Sequence, residues 1–308
     1  MRILLTGSRG MLGSSIKRLL SDSKFDLLTP SRKDLNLLDA KAVDNYIGTN
    51  KPEAVIHAAA RVGGIQANID SPYEYLTENI RIDSNLLSAS MEYRVPNLLY
   101  MASSCMYPHE TFQPMQESQI LTGALEPTNE GYALAKLVAT KAVELASTQY
   151  GLNWRSLILS NLFGPGDHFN SDKSHLLAAI ITKVEAAKRT NAPEIIMWGT
   201  GSVRREFTYV EDVAEFIVSK IFSFKDLPVT LNIGLGQDYS VIEYYQMVAQ
   251  YAGYLGKINA DASRPEGMRQ KLMNIEVAQK LGWNPTTNMI DAIAKTYDWY
   301  IASVRGGN

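Results

Sequence analysis

One cysteine in 308 residues is the first scarcity, and it excludes any internal disulfide. Such a chain suits a reducing compartment, so a cytoplasmic location is expected. Histidine is almost as rare. The four present, His57, His109, His168 and His175, are scattered and give no metal-ligand spacing, so no metal is expected. Neither sign of charge dominates: 30 Lys and Arg stand against 32 Asp and Glu, for a net charge of −2. With no basic run or basic helix face, nucleic acid and anionic membrane are poor partners. No apolar run is long enough to cross a bilayer, and Ile3 to Leu5 is too short for a signal-peptide core. A GxSxG elbow is missing, which removes the Ser-His-Asp hydrolase reading. Internal repeats, low-complexity tracts and an obvious linker are missing as well.

What is present is an ordinary globular balance, 45% hydrophobic and 20% charged, with length for one large or two modest domains. RILLT opens the chain as a buried strand, GSRGMLG follows at once, and SSIKRLL continues at helical spacing. Strand, glycine turn and helix in that order suit a dinucleotide, here with the spacing Gly7-x-x-Gly10-x-x-Gly13. The plainer alternative is a tight turn that needs glycine's conformational freedom. A second strand, FDLLTP, ends at Ser31-Arg32-Lys33-Asp34, where such a unit reads the adenosine ribose. Arg32 there and Arg9 in the glycine turn favour a 2′-phosphate, hence NADP, over a merely solvated basic turn.

The stretch from Tyr100 to Lys136 carries the chemistry. LLYMASSCMYP reads as an apolar strand ending in Ser103, Ser104 and Cys105, and EGYALAKLVATKAVELA as a helix. On that helix Tyr132 and Lys136 are four residues apart and share a face. A hydroxyl facing Tyr and Lys suits carbonyl reduction: Ser103 holds the oxygen, Tyr132 gives the proton, and the Lys136 ammonium lowers the phenol's pKa. Between these landmarks PEAVIH is a third strand, 72–93 a long helix, VPNLLYMAS the fourth strand and LNWRSLILS the fifth. His57 is read as a packed, supporting residue. Alternating strands and helices argue an α/β fold, a doubly wound parallel (Rossmann) sheet.

Beyond Phe163 the alternation weakens. LLAAIITKVEAAK and TYVEDVAEFIVSKI read as helices, EIIMW as a short strand, and VTLNIG as a strand of the main sheet. Further helices are expected at 240–254, 275–282 and 289–304. A nucleotide domain over 1–161 plus 206–236, and a smaller α/β substrate lobe from 162–205 and 237–308, follow from this reading.

TGxxGxxG, the serine-tipped strand, YxxxK and the NLFGPGD turn resemble the extended short-chain dehydrogenase/reductases over nearly the whole chain. AARVGGI, SSCMYP, NLFGPGDHF, WGTGSVRREF and RPEGMRQKL look like the branch that epimerises GDP-4-keto-6-deoxy-D-mannose at C-3 and C-5 and reduces C-4 with NADPH. The resemblance implies Ser103, Tyr132 and Lys136 as the reductase set, with Cys105 the base and His175 the acid of epimerisation. Asn161, Lys183, Trp198, Arg205 and Lys271 fall where that branch contacts the GDP-sugar. Arg9, Arg32 and Asp39 fall in its NADP site. A homodimer packed through 72–93 and 129–150 is also implied. Arg61 stands where Lys is usual before VGGI, and Gln270 where Arg is usual. The alternative function is reduction or epimerisation alone, of a related nucleotide-activated keto-sugar.

Overall fold

A computed structural model describes residues 1–21, 23–169, 174–263 and 268–305. The first half alternates as β1 (Arg2–Thr6), α1 (Met11–Leu20), β2 (Asp26–Leu28), α2 (Ala40–Asn50) and β3 (Ala54–His57). It continues through α3 (Ile65–Asp70), α4 (Pro72–Glu92), β4 (Asn97–Ser103), α5 (Glu130–Tyr150) and β5 (Asn153–Leu159). Then come β6 (Asn161–Phe163), α6 (Leu176–Arg189), β7 (Glu194–Trp198), β8 (Arg204–Arg205), β9 (Phe207–Tyr209) and α7 (Val210–Ser219). The chain closes with β10 (Thr230–Ile233), β11 (Tyr239–Ser240), α8 (Val241–Ala252), β12 (Lys257–Asp261), β13 (Gln270–Lys271), α9 (Glu276–Lys280) and α10 (Met289–Arg305).

Six strands form one parallel sheet in the order β10-β5-β4-β3-β1-β2. Ile3, Leu4, Leu5, Val55, Ile56, Leu98 and Leu99 are fully buried, as expected where helices cover both faces of a parallel sheet. β1 lies between β2 and β3, so the strand order reverses there and a crevice opens beyond their carboxyl ends. The sheet confirms the expected fold class, and VTLNIG joins it beside β5 as read.

Two helices depart from the sequence reading. On α2 only Val43 and Ile47 are buried, too thin an apolar stripe to announce a helix. TYVEDVAEFIVSKI does not begin as a helix: Phe207–Tyr209 is a strand paired with β6, and the helix starts at Val210.

Outside the large sheet, β11-β8-β13, β12-β7 and β6-β9 form small sheets. A second apolar core gathers Phe163, Ile180, Ile181, Val184, Phe207, Tyr244, Val248 and Ile293. Met273, Ile275, Ala278 and Trp283, late in the chain, pack instead into the first core.

Candidate active site

The crevice is built by close backbone approach. Gly7 has φ +71°, and a Cβ on it would come within 2.6 Å of the Ala58 carbonyl carbon at the end of β3. At Gly13 a Cβ would meet the Gly7 oxygen at 2.1 Å. Gly10 caps α1 without a side chain, and the first turn carries no acidic residue, so the helix amides face the crevice unopposed. Such a cradle fits a pyrophosphate. Arg9 and Arg32 stand exposed at the rim. Asp39, expected in the cofactor site, caps α2 by accepting from the Lys41 and Ala42 amides at 3.0 and 3.1 Å.

Ser103 is the last residue of β4, and its hydroxyl accepts from the Cys105 amide at 3.2 Å and hydrogen-bonds Tyr132. Lys136 is buried, donating to the Met101 carbonyl at 2.9 Å, with its nitrogen 6.0 Å from the Tyr132 ring centre. The expectation that Lys136 depresses the Tyr132 pKa is corrected. Burial first, then the charges of Cys105 and Asp83, push the phenol above its ordinary value, and the Ser103 hydrogen bond offsets only part. The ammonium lies closer to Tyr100, 4.5 Å from that ring. Tyr132 therefore keeps its proton through neutral pH, the state a proton donor needs.

Two nitrogens reach the Cys105 sulfur: Asn129 Nδ2 at 3.3 Å and Lys271 Nζ at 3.7 Å. Sequence reasoning missed Asn129. Its signal is positional: it occupies the cap position of α5 but makes no side-chain cap, leaving the amide for the thiol. Lys271, expected at the GDP-sugar, arrives on β13 as the cation beside the thiol. His175 caps α6, where burial first and then the His168 charge hold its imidazole below the ordinary histidine range.

The remaining expected residues lie on β6, α6, β7 and β8. Asn161 donates to the Glu206 carbonyl at 3.2 Å, and Lys183, its ammonium weakened by burial, donates to the Ile196 carbonyl. Trp198 ends β7 largely exposed. Arg205 donates to the Met268 carbonyl at 2.6 Å. Gln270 donates to Asp238 at 2.7 Å, and Arg204 Nε reaches the same carboxylate at 2.9 Å. Of the RPEGMRQKL run, residues 264–267 lie outside the described residues. Among the described residues no group of three or more His, Cys, Asp or Glu could hold a metal ion.

The model of the NAD dependent epimerase/dehydratase family matches residues 3–234. The GDP-L-colitose synthase of Yersinia pseudotuberculosis is 41% identical, covering 98% of each chain. The GDP-L-fucose synthase of Azorhizobium caulinodans is 40% identical over 97% of this chain and 96% of its own. Among solved structures, the GDP-mannoheptose C4 reductase of Campylobacter jejuni with NADP bound superposes with a TM-score of 0.88 at 29% identity. That match covers 97% of this chain and 98% of the other.

Proposed function

The chain belongs to the NAD dependent epimerase/dehydratase family, and on that premise we propose that it is an NADP-dependent enzyme making GDP-L-fucose from GDP-4-keto-6-deoxy-D-mannose. The observation that carries this reading is the meeting at one strand end of two kinds of group. Ser103 and Tyr132 are joined for reduction, and Cys105, two residues on, meets Lys271 from the other lobe.

NADPH, when bound along Gly7, Gly10, Gly13, Arg9 and Arg32, supplies hydride to C-4. Ser103 holds the C-4 oxygen and Tyr132 gives it a proton. The 4-keto group acidifies the hydrogens at C-3 and C-5, and Cys105 removes them, with the Asn129 amide and the Lys271 ammonium both on its sulfur. His175 returns protons on the opposite face. Asn161, Lys183, Trp198 and Arg205 bind the GDP-sugar, and Asp39 orders the loop that carries Arg32 toward the cofactor.

The nucleotide domain comprises 1–161 with 206–236, and the substrate lobe the rest. Two copies pair through α4 and α5, whose Tyr73, Val138 and Leu145 leave apolar side chains exposed. Val138 and Leu145, seven residues apart, share one face of α5. The enzyme works in the cytoplasm; among the described residues no helix is long and apolar enough to cross a membrane.

Keto-sugar incubated with the enzyme in deuterated water, without NADPH, gains deuterium at C-3 and C-5, and adding NADPH yields GDP-L-fucose by mass spectrometry and NMR. The second reading is a reductase alone, favoured by the likeness to the GDP-mannoheptose C4 reductase. Reduction without deuterium uptake selects it and overturns the bifunctional reading.

A further inference from the structure

Beneath Lys136 lies a buried polar chain that the mechanism above leaves unassigned. Thr6 Oγ1 meets His57 Nδ1 at 2.7 Å, and His57 Nε2 meets Asp83 Oδ1 at 3.0 Å. The Tyr100 hydroxyl donates to Asp83 Oδ2 at 2.7 Å, and the Lys136 nitrogen lies 4.5 Å over the Tyr100 ring. All five residues are at most 2% exposed, and they come from β1, β3, α4, β4 and α5. His57 spans Thr6 and Asp83 with its two ring nitrogens, so the Asp83 carboxylate is held from two sides, by His57 and by the Tyr100 hydroxyl.

Charge counting then singles out Asp83. Lys136 needs an anion if it is to stay an ammonium in a dry interior, because burial favours the neutral amine. Its direct hydrogen-bond partner, the Met101 carbonyl, is only a dipole. Resting on the reductase reading, we infer that Asp83 is a positioning residue for reduction: it is the buried counter-charge that keeps Lys136 protonated and in place beside Tyr132. The electrostatics run the same way. Burial lowers the Lys136 pKa and Asp83 raises it back in part. For Asp83, burial raises the pKa, but the Lys136 charge and the bonds from His57 and Tyr100 outweigh it and hold the carboxyl ionised.

The titratable side chains packed around Lys136 and Tyr132 are Asp83 on α4, His57 on β3, Tyr100 on β4 and Cys105 after it, and Asp83 is the one whose charge acts on Lys136. Removing one negative charge from this set lowers the pKa of every proton that Lys136 and Tyr132 hold. The alkaline limb of the reductive kcat profile therefore moves to lower pH in Asp83→Asn, by about one unit or more. Asp83→Glu, which restores the charge, moves the limb back. A merely structural Asp83 behaves otherwise: Asp83→Asn lowers kcat evenly at every pH and leaves the limb in place, which overturns the inference. The unmodified enzyme provides a check that does not depend on folding of the variant. With lysine labelled at 15Nζ, and its signal assigned by Lys136→Arg, NMR at neutral pH shows an ammonium at Lys136, and a neutral amine there overturns the inference. Should the unmodified enzyme not reduce keto-sugar at all, the reductase reading itself fails. Reduction with an unmoved limb rejects only the role of Asp83.

Discussion

The large sheet and the small sheets beside the second apolar core are held together by different means. In the first, seven paired residues join β4 to β5, and apolar side chains fill both faces of the sheet. In the second, strands such as β8, β11 and β13 are two residues long, and buried polar groups do much of the joining. Glu206, 2% exposed, accepts from the Gly236 amide at 2.7 Å and the Met273 amide at 2.9 Å, tying three segments together. Asp238 does the same for Arg204 and Gln270. A region organised this way can place its groups accurately, but its geometry depends on the ionisation of its carboxylates. The large sheet has no such dependence in its ladder.

The proposed reaction site sits where the two constructions meet, so the largest effects are expected there. Cys105 leaves the large sheet and Lys271 comes from the small sheets. Cys105→Ser keeps size and hydrogen bonding but replaces a thiol by a far weaker acid. Deuterium exchange at C-3 and C-5 should fall by about 10³-fold, while reduction continues to an unepimerised product. Exchange at the full rate would place the base elsewhere. Tyr132→Phe should be next, lowering the reductive rate by about 10²-fold with little change in cofactor binding. Near-normal turnover in single-turnover kinetics would refute Tyr132 as the proton donor.

The same contrast explains what the sequence could show. RILLT, PEAVIH, VPNLLYMAS and LNWRSLILS appear as strands within a residue or two, because long buried runs bounded by turns carry their own signal. Strands of two or three residues hold no period, and β6, β8, β9, β11 and β13 went unread for that reason. In the site, Tyr132 and Lys136 were legible because four residues of helix bring them together. The pairing of Lys271 with Cys105 spans 166 residues and left no local trace. Asp83 was equally hidden, since a lone acid on a long helix looks like solvated surface until β3 and β4 are packed against it.

Glu206 offers the direct way to break the comparison. Burial, opposed by backbone hydrogen bonds, pushes its pKa from the ordinary carboxylate value up to about 7. A raised pKa contributes stability that is fully present below the unfolded value near 4.5 and is lost as pH rises through 7. The unfolding free energy from denaturant titrations should therefore fall between pH 5 and pH 8 by on the order of 2–3 kcal/mol, and the midpoint with it. Glu206→Gln should start less stable, because its amide nitrogen cannot accept from both backbone donors. Its midpoint should nevertheless change much less over that pH range. Equal slopes for both proteins would mean that the small sheets are not held by this carboxylate.

The smallest expected effect tests charges that are not buried. Arg9 and Arg32 stand exposed at the cofactor rim, so their attraction for a 2′-phosphate is weakened by water and salt. The two are not equivalent. Asp34, held below the usual carboxylate range chiefly by hydrogen bonds from Ser31, also feels the Arg9 charge, so part of that charge is answered within the protein. Arg32 should therefore be the stronger reader of the phosphate. Arg32→Ala should raise KM for NADPH about fivefold, roughly 1 kcal/mol, the upper end for an exposed ion pair. Arg9→Ala should raise it less. KM for NADH should stay nearly constant in both, because no phosphate is there to lose a partner. Raising ionic strength should shrink the Arg32 effect further, as an exposed pair requires. A KM for NADH that rises in step with that for NADPH would assign Arg32 to the loop's structure rather than to the phosphate.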